Sequence, residues 1–171
     1  MLAFSNWLWL FPVAITIHNI EEAIWLPAWS MQHALKFQRP VGKFEFRFAV
    51  LVLTVAAYLL AWLSVAGGAQ SLATYLYCSY ICAMFLNVFT HLLAAIVTKR
   101  YAPGLATALL LNLPVTAFLL WLAIRNNYVA KPTIIIVAVL FTIVLAGSLP
   151  LLFALGRKIR STMAQFSQAP S

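Results

Sequence analysis

Residues 133–155 read TIIIVAVLFTIVLAGSLPLLFAL, a run of 23 residues without a charged side chain. About 20 consecutive apolar residues are enough for a helix to cross the hydrocarbon core of a bilayer. Four further segments of the chain meet this length: Trp7–Leu26, Phe48–Val65, Leu72–Val97 and Leu105–Ile124. The sequence therefore predicts an all-α, polytopic transmembrane helical bundle of about five spans.

The composition excludes an ordinary soluble protein. Of 171 residues, 64% are apolar and only 8% are charged, whereas about 25% of the residues of a typical soluble domain are charged. Lipid must therefore be the outer solvent, and membrane lipid is the expected partner. The net charge of +8 arises from Lys and Arg at the ends of the apolar segments. This placement indicates membrane orientation and not nucleic-acid binding.

Orientation follows from the Lys and Arg on each side of the predicted spans. With the N-terminus outside, nine of the eleven lie on the inner side, so the positive-inside rule predicts N-out, C-in topology in the inner (plasma) membrane. We expect one membrane domain over residues 1–160 and a disordered cytoplasmic tail over 161–171. Pro27 is expected to end the first helix. The basic loop 29–43 is expected to be a plain basic anchor, with contact to anionic headgroups as the alternative.

The first predicted span contains a polar pentapeptide, His18-Asn19-Ile20-Glu21-Glu22. At 100° per residue, Glu21 and Glu22 flank His18 on one helix face. A charged side chain at mid-bilayer costs about 2.5–3.5 kcal/mol on insertion scales. No Lys or Arg lies within a predicted span to pair with these carboxylates. Protonation, histidine, amide groups, water, a metal ion or a cationic ligand must compensate them.

The third predicted span carries Asn87 and His91 one helical turn apart. At a rise of 1.5 Å per residue, these two side chains and those of His18 and Glu22 lie about 6–15 Å from the inner ends of their helices. The first and third spans therefore bring polar groups to one layer in the inner half of the bilayer. Asn112 in the fourth span is expected to be an interhelical hydrogen-bonding residue.

These motifs resemble those of the HXXEE family of small bacterial integral membrane proteins. The His18–Glu22 pentapeptide matches the motif that names the family, Asn87 to His91 matches its Asn-x-x-x-His motif, and Pro103-Gly104 matches its Pro-Gly pair. The three motifs occur in the family's order, over roughly Trp7 to Gly104. The resemblance implies a bacterial source and a suspected enzymatic activity, without a known reaction.

The leading hypothesis is a membrane-embedded enzyme that acts on a lipid-soluble substrate from the cytoplasmic leaflet. In one chemistry, His18, Glu22 and His91 hold a divalent ion, Zn²⁺ or Fe²⁺, because two histidines and a carboxylate suit a site with an open coordination position. Glu21 is then the general base, and Asn87 orients substrate or water. In the other chemistry no metal binds, and Glu21, Glu22 and His18 act as acid and base.

Two further classes of function are compatible with the sequence. Intramembrane Glu and His are also proton-relay residues, so a proton- or cation-coupled transporter is an alternative. Five spans without an internal repeat are an awkward basis for alternating access, which a homodimer could provide. The third class is a non-catalytic membrane subunit, in which the polar cluster only joins helices.

Overall fold

The computed structural model describes residues 3–32 and 40–167, and all regular secondary structure within these ranges is helical. A short helix α1 precedes five long helices, the fourth of which is a composite of three segments. The elements are α1 (Phe4–Trp7), α2 (Leu10–Gln32), α3 (Lys43–Gly67), α4 (Leu72–Thr98), α5 (Leu105–Thr107), a π-helical turn (Ala108–Asn112), α6 (Leu113–Arg125) and α7 (Lys131–Ser167). The segment 105–125 forms one continuous rod, so five long helices make up the described bundle.

Four helices are long and apolar enough to cross a membrane: Lys43–Gly67, Leu72–Thr98, Leu105–Arg125 and Lys131–Phe166. Helix α2 has 23 residues, which also suffices to cross the hydrocarbon core. Its hydropathy is lowered by the polar residues of the His18–Glu22 pentapeptide. The prediction of an all-helical bundle with four to five long apolar helices is confirmed. The N-out, C-in orientation, the domain limits and the homo-oligomer stay predictions.

Aromatic packing fixes α2 against α4. The Phe11 ring meets the rings of Tyr77 and Tyr80 edge-on, with centroids 5.7 and 5.3 Å away, and all three side chains are buried. The Tyr77 hydroxyl donates a hydrogen bond to the Leu8 carbonyl. Helix α2 also packs against α3 and the rod 105–125, while α4 packs against α3, α6 and α7. The inward faces of α2 and α4 are thereby held in a fixed register.

Pro27 does not end the first helix, contrary to the sequence prediction, because α2 continues through it to Gln32. A helix-interior proline leaves the carbonyl four residues earlier without its donor, which here is that of Ala23. Arg47 of α3 donates its Nε–H to this carbonyl at 3.2 Å. The missing bond is thus replaced from a neighbouring helix. Of the basic loop, residues 33–39 lie outside the described residues.

The disordered tail predicted over 161–171 is also corrected in part, because α7 remains helical to Ser167. Residues 161–167 contain no Gly or Pro to stop the helix, and the Arg160 guanidinium contacts the Glu45 carboxylate of α3 at 2.9 Å. This ion pair holds the end of the helix against the bundle. Residues 168–171 lie outside the described residues.

Candidate functional site

The polar layer predicted from the two motifs contains a compact cluster of His18, Glu22 and His91. Nε2 of His91 lies 3.3 Å from Glu22 Oε1, and Nε2 of His18 lies 3.8 Å from Glu22 Oε2. The two imidazoles meet edge to face with centroids 5.0 Å apart. Both histidines are buried, with 1% and 7% of their surface exposed. The structure therefore brings together three residues that helical spacing had placed on two separate helices.

The hydrogen bonds around Thr107 assign the tautomer of His18. Nδ1 of His18 lies 2.9 Å from Thr107 Oγ1, while the Thr107 hydroxyl lies 2.6 Å from Glu21 Oε2. Since a carboxylate accepts but cannot donate when ionised, the single hydroxyl proton goes to Glu21, and Oγ1 accepts from Nδ1–H of His18. Nε2 of His18 then carries a lone pair, and it has no hydrogen-bond partner among the described residues.

Glu21 occupies a different environment from Glu22. Its carboxylate accepts from the Tyr101 hydroxyl, the Gly104 N–H at 2.9 Å, and both the N–H and the hydroxyl of Thr107. These N–H groups belong to the N-terminal turn of α5, where unpaired donors favour an anion. Partial burial and the hydrogen bond to Glu21 raise the pKa of Tyr101, so its phenol stays a donor. Glu21, predicted as a general base, has its acceptor positions filled.

Gly104 lies directly against the three residues of the cluster. The chain turns sharply after α4, where Lys99 has a left-handed φ of 52°, and Gly104 follows with φ of 90°. A Cβ at position 104 would lie 2.7 Å from Cε1 of His91, 2.9 Å from Cε1 of His18 and 3.0 Å from Cγ of Glu22. Both the backbone conformation and the lack of space therefore require glycine here. This is the physical role of the Pro103-Gly104 pair.

Asn87 lies beside the cluster and contacts His91. Its Nδ2 is 3.0 Å from His91 Nε2, and its Oδ1 accepts from the Thr90 hydroxyl at 2.9 Å. The amide is half-buried. Asn87 thus shares one imidazole nitrogen with Glu22, and it is placed to contact any group that takes the position between them.

A groove of about 570 Å³ opens next to the cluster. Its walls include Glu21, Pro103, Tyr101, Trp25 and Trp29, and the Trp25 side chain is 60% exposed. Trp and Tyr are the side chains that concentrate at membrane–water interfaces. The groove therefore joins the bundle surface to the residues that surround the buried imidazoles.

The three cluster residues could hold a divalent ion, and imidazole and carboxylate are suitable donor types. Metal–ligand bonds of about 2.0–2.2 Å set neighbouring ligand atoms of a tetrahedral zinc site roughly 3.3–3.6 Å apart. One ligand atom from each of His18, Glu22 and His91 can be chosen so that all lie within 4.8 Å of one another. Small side-chain rotations would bring the three ligand atoms to the separations of a tetrahedral site. The Asn87 amide would have to release His91 Nε2.

The sequence prediction missed Tyr101, Gly104 and Thr107 as parts of the site. The Pro103-Gly104 motif pointed to the turn that carries them, but helical periodicity gives no information on a turn. Asn19 of the pentapeptide is not part of the cluster. It connects α2 to α3, since its Nδ2 donates to Thr54 Oγ1 at 2.7 Å. Asn112, expected to join helices, is buried at 1% exposure, and its amide has no hydrogen-bond partner among the described residues.

Comparisons with known proteins agree with this arrangement of motifs. An uncharacterized protein of Bacillus subtilis (strain 168), YrkK, is 43% identical over 150 residues, which cover 87% of this chain and 94% of the relative. No solved structure matches the chain. The family described as "Protein of unknown function with HXXEE motif" matches residues 9–119, a stretch that includes α2, α4, Gly104 and Thr107. The chain therefore belongs to the HXXEE family.

Proposed function

We propose that the chain is a membrane-embedded enzyme whose active site is one divalent ion, Zn²⁺ or Fe²⁺, held by His18, Glu22 and His91. The observation that carries this proposal is the convergence of two buried imidazoles on one carboxylate, at 3.3 and 3.8 Å. An ionised carboxylate at this depth is costly, and a bound cation would compensate it. The proposal places the protein in the inner membrane of a bacterium, with the site near the cytoplasmic face.

The chain's own residues have separate roles in this proposal. Two imidazoles and one carboxylate leave a coordination position open for water or substrate. When bound, the ion supplies Lewis-acid chemistry and lowers the pKa of a bound water. Asn87 orients the group in the open position, because its amide already lies 3.0 Å from His91 Nε2. Glu21, with filled acceptor positions, positions the site instead of moving protons.

The groove supports a lipid-soluble substrate that arrives from the cytoplasmic leaflet. Its aromatic rim, with Trp25 and Tyr101 exposed, suits the level of the headgroups. Pro103 lies in the wall of the groove, and its neighbour Gly104 contacts the cluster. A substrate with an apolar body and an oxygen-containing head would place its body between the rings and its head near the ion.

Untargeted lipid analysis tests the enzymatic part of the proposal. Purified protein loaded with Zn²⁺ or Fe²⁺ is reconstituted in vesicles of bacterial lipid extract, and lipid-soluble species are followed by mass spectrometry. We expect wild type to consume at least one species and Glu22→Gln to consume none. Gly147→Ala is the matched control, because a Cβ there meets no atom within 4 Å. An unchanged lipid profile with every metal and extract would contradict an enzyme acting on membrane lipids.

Acid–base chemistry without a metal is the second candidate, and the contact between Asn87 and His91 favours it. An amide donating to Nε2 stabilises a neutral, unligated imidazole. In that case Glu22 and His91, 3.3 Å apart, would exchange a proton with the substrate. Turnover that survives a strong chelator would select this chemistry over the metal centre.

A further inference from the structure

We propose that Thr107 is a positioning residue of the candidate metal centre, which links the Glu21 carboxylate to His18 and aims the Nε2 lone pair of His18 at Glu22 and His91. This inference rests on the proposed function, since it assumes the metal centre. It gives the two glutamates of the HXXEE motif different roles. Glu22 is a ligand, and Glu21 acts on the ligand His18 through one hydroxyl group. Thr107 belongs to none of the three family motifs.

The hydrogen bond between Thr107 and the Glu21 carboxylate is rigid. Four donors hold the Glu21 carboxylate, and three of them come from the turn that begins α5: the Gly104 N–H, the Thr107 N–H and the Thr107 hydroxyl. The fourth is the Tyr101 hydroxyl, which itself accepts from the Ala106 N–H at 3.1 Å. The carboxylate therefore has one orientation, and so does the Thr107 hydroxyl that donates to it at 2.6 Å.

The second link determines which nitrogen of His18 is free. Because the Thr107 proton is committed to Glu21, Oγ1 can only accept from Nδ1 of His18 at 2.9 Å. The other tautomer would set two lone pairs against each other there and would turn an N–H toward the ligand position. Histidine ligands of metals commonly donate their second N–H to a carboxylate, carbonyl or water, and this contact fixes the tautomer and raises ligand basicity. Here a threonine hydroxyl lies between the imidazole and the carboxylate.

Zinc affinity tests the role of Thr107. Wild type and variants in lipid nanodiscs are titrated with Zn²⁺ against a competing chelator dye. We expect Thr107→Val to weaken Zn²⁺ binding by about 10–100-fold, the usual effect of losing such a partner, and Thr107→Ser to bind like wild type. Thr98→Val is the matched control, because the hydrogen bonds of its hydroxyl within the described ranges go to the carbonyls of Ala94, at 2.7 Å, and Arg100, at 3.4 Å. Unchanged affinity in Thr107→Val would overturn the proposal.

A second measurement separates positioning from a loss of folding and does not need the metal. Long-range ¹H–¹⁵N NMR of histidine-labelled, metal-free protein reports the tautomer of His18. We expect wild type and Thr107→Ser to show the Nδ1–H form, and Thr107→Val to show a mixture. A wild-type protein with the Nδ1–H form but without Zn²⁺ affinity would contradict the metal centre while keeping the role of Thr107. The Nδ1–H form undiminished in folded Thr107→Val would contradict that role.

Discussion

The imidazole rings of His18 and His91 meet edge to face, with centroids 5.0 Å apart and planes at 84°. His18 lies on α2 and His91 on α4, and the Glu22 carboxylate reaches both rings. A cluster of this kind could be a joint between helices. Its surroundings favour a site, because a glycine leaves room for it, a threonine orients one of its rings, and a groove opens beside it.

Gly104→Ala should disrupt the cluster. The added Cβ would meet His91, His18 and Glu22 at 2.7–3.0 Å, and alanine at a φ of 90° is strained by roughly 1–2 kcal/mol. We expect a clear drop in the unfolding temperature and the loss of Zn²⁺ binding. In Gly147→Ala, where the Cβ meets open space within α7, stability should stay the same or rise by up to about 1 kcal/mol. Equal behaviour of the two variants would show that the site has no tight contact with Gly104.

Glu21→Gln and Glu22→Gln should differ in stability although they are neighbours. Glutamine keeps one carbonyl oxygen, so two of the four donors on Glu21 would face its NH₂ group, and each unpaired donor that is buried costs about 1–3 kcal/mol. Glu22→Gln removes a carboxylate whose neighbours are the imidazoles of His18 and His91, at 3.8 and 3.3 Å, so the fold should persist while metal binding is lost. Thermal unfolding in nanodiscs measures the stability of both variants. A Glu21→Gln variant as stable as wild type would contradict the anchoring role of Glu21.

The sequence predicts the cluster residues better than it predicts the turn and the interhelical contacts that hold them in place. Helical spacing placed His18 with Glu22 and Asn87 with His91, because the period of an α-helix is fixed. The role of Gly104 and Thr107 depends on the turn 99–104, which brings Gly104 and the start of α5 against Glu21 and the cluster, and no periodic pattern describes such a turn. The continuation of α2 through Pro27 depends on Arg47, which reaches Ala23 from another helix. Such long-range contacts override local helix signals.

The pair of Glu45 and Arg160 is another contact that the sequence could not reveal, because the two residues lie on different helices. Glu45 is 2% exposed, so Arg160→Gln would leave a buried carboxylate without its cation. Because Arg160 itself is 59% exposed, we expect a loss of about 1–3 kcal/mol, below the range of a fully buried pair. Hydrogen exchange should also rise over residues 161–167.

Lys158→Gln serves as the control for this ion pair, since Lys158 is exposed on the same helix. Its stability and hydrogen exchange should match those of wild type. The reverse order, with Lys158→Gln more harmful than Arg160→Gln, would show that general positive charge anchors α7 and that the contact with Glu45 does not.

The Lys and Arg distribution predicts the orientation of the bundle. Because α4, the rod 105–125 and α7 lie between residues 69 and 161, these two positions are expected on opposite sides of the membrane. Single cysteines at Ala69 and Ser161, both exposed, are introduced after replacement of Cys78 and Cys82. An impermeant thiol reagent should label position 69 from outside and position 161 only after cell lysis. The opposite pattern would move the site to the outer leaflet.

The metal content of purified protein tests the central claim most directly. The protein is isolated in mild detergent, loaded with Zn²⁺ or Fe²⁺ and desalted. Its metal content is then measured by inductively coupled plasma mass spectrometry. The account predicts about one ion per chain in wild type, because one open site has three protein ligands. His18→Ala and His91→Ala should each lose the ion, while Asn87→Ala keeps it, since Asn87 contacts His91 without being a ligand. Folded wild type that holds no ion, or variants of both histidines that retain it, would contradict the metal centre.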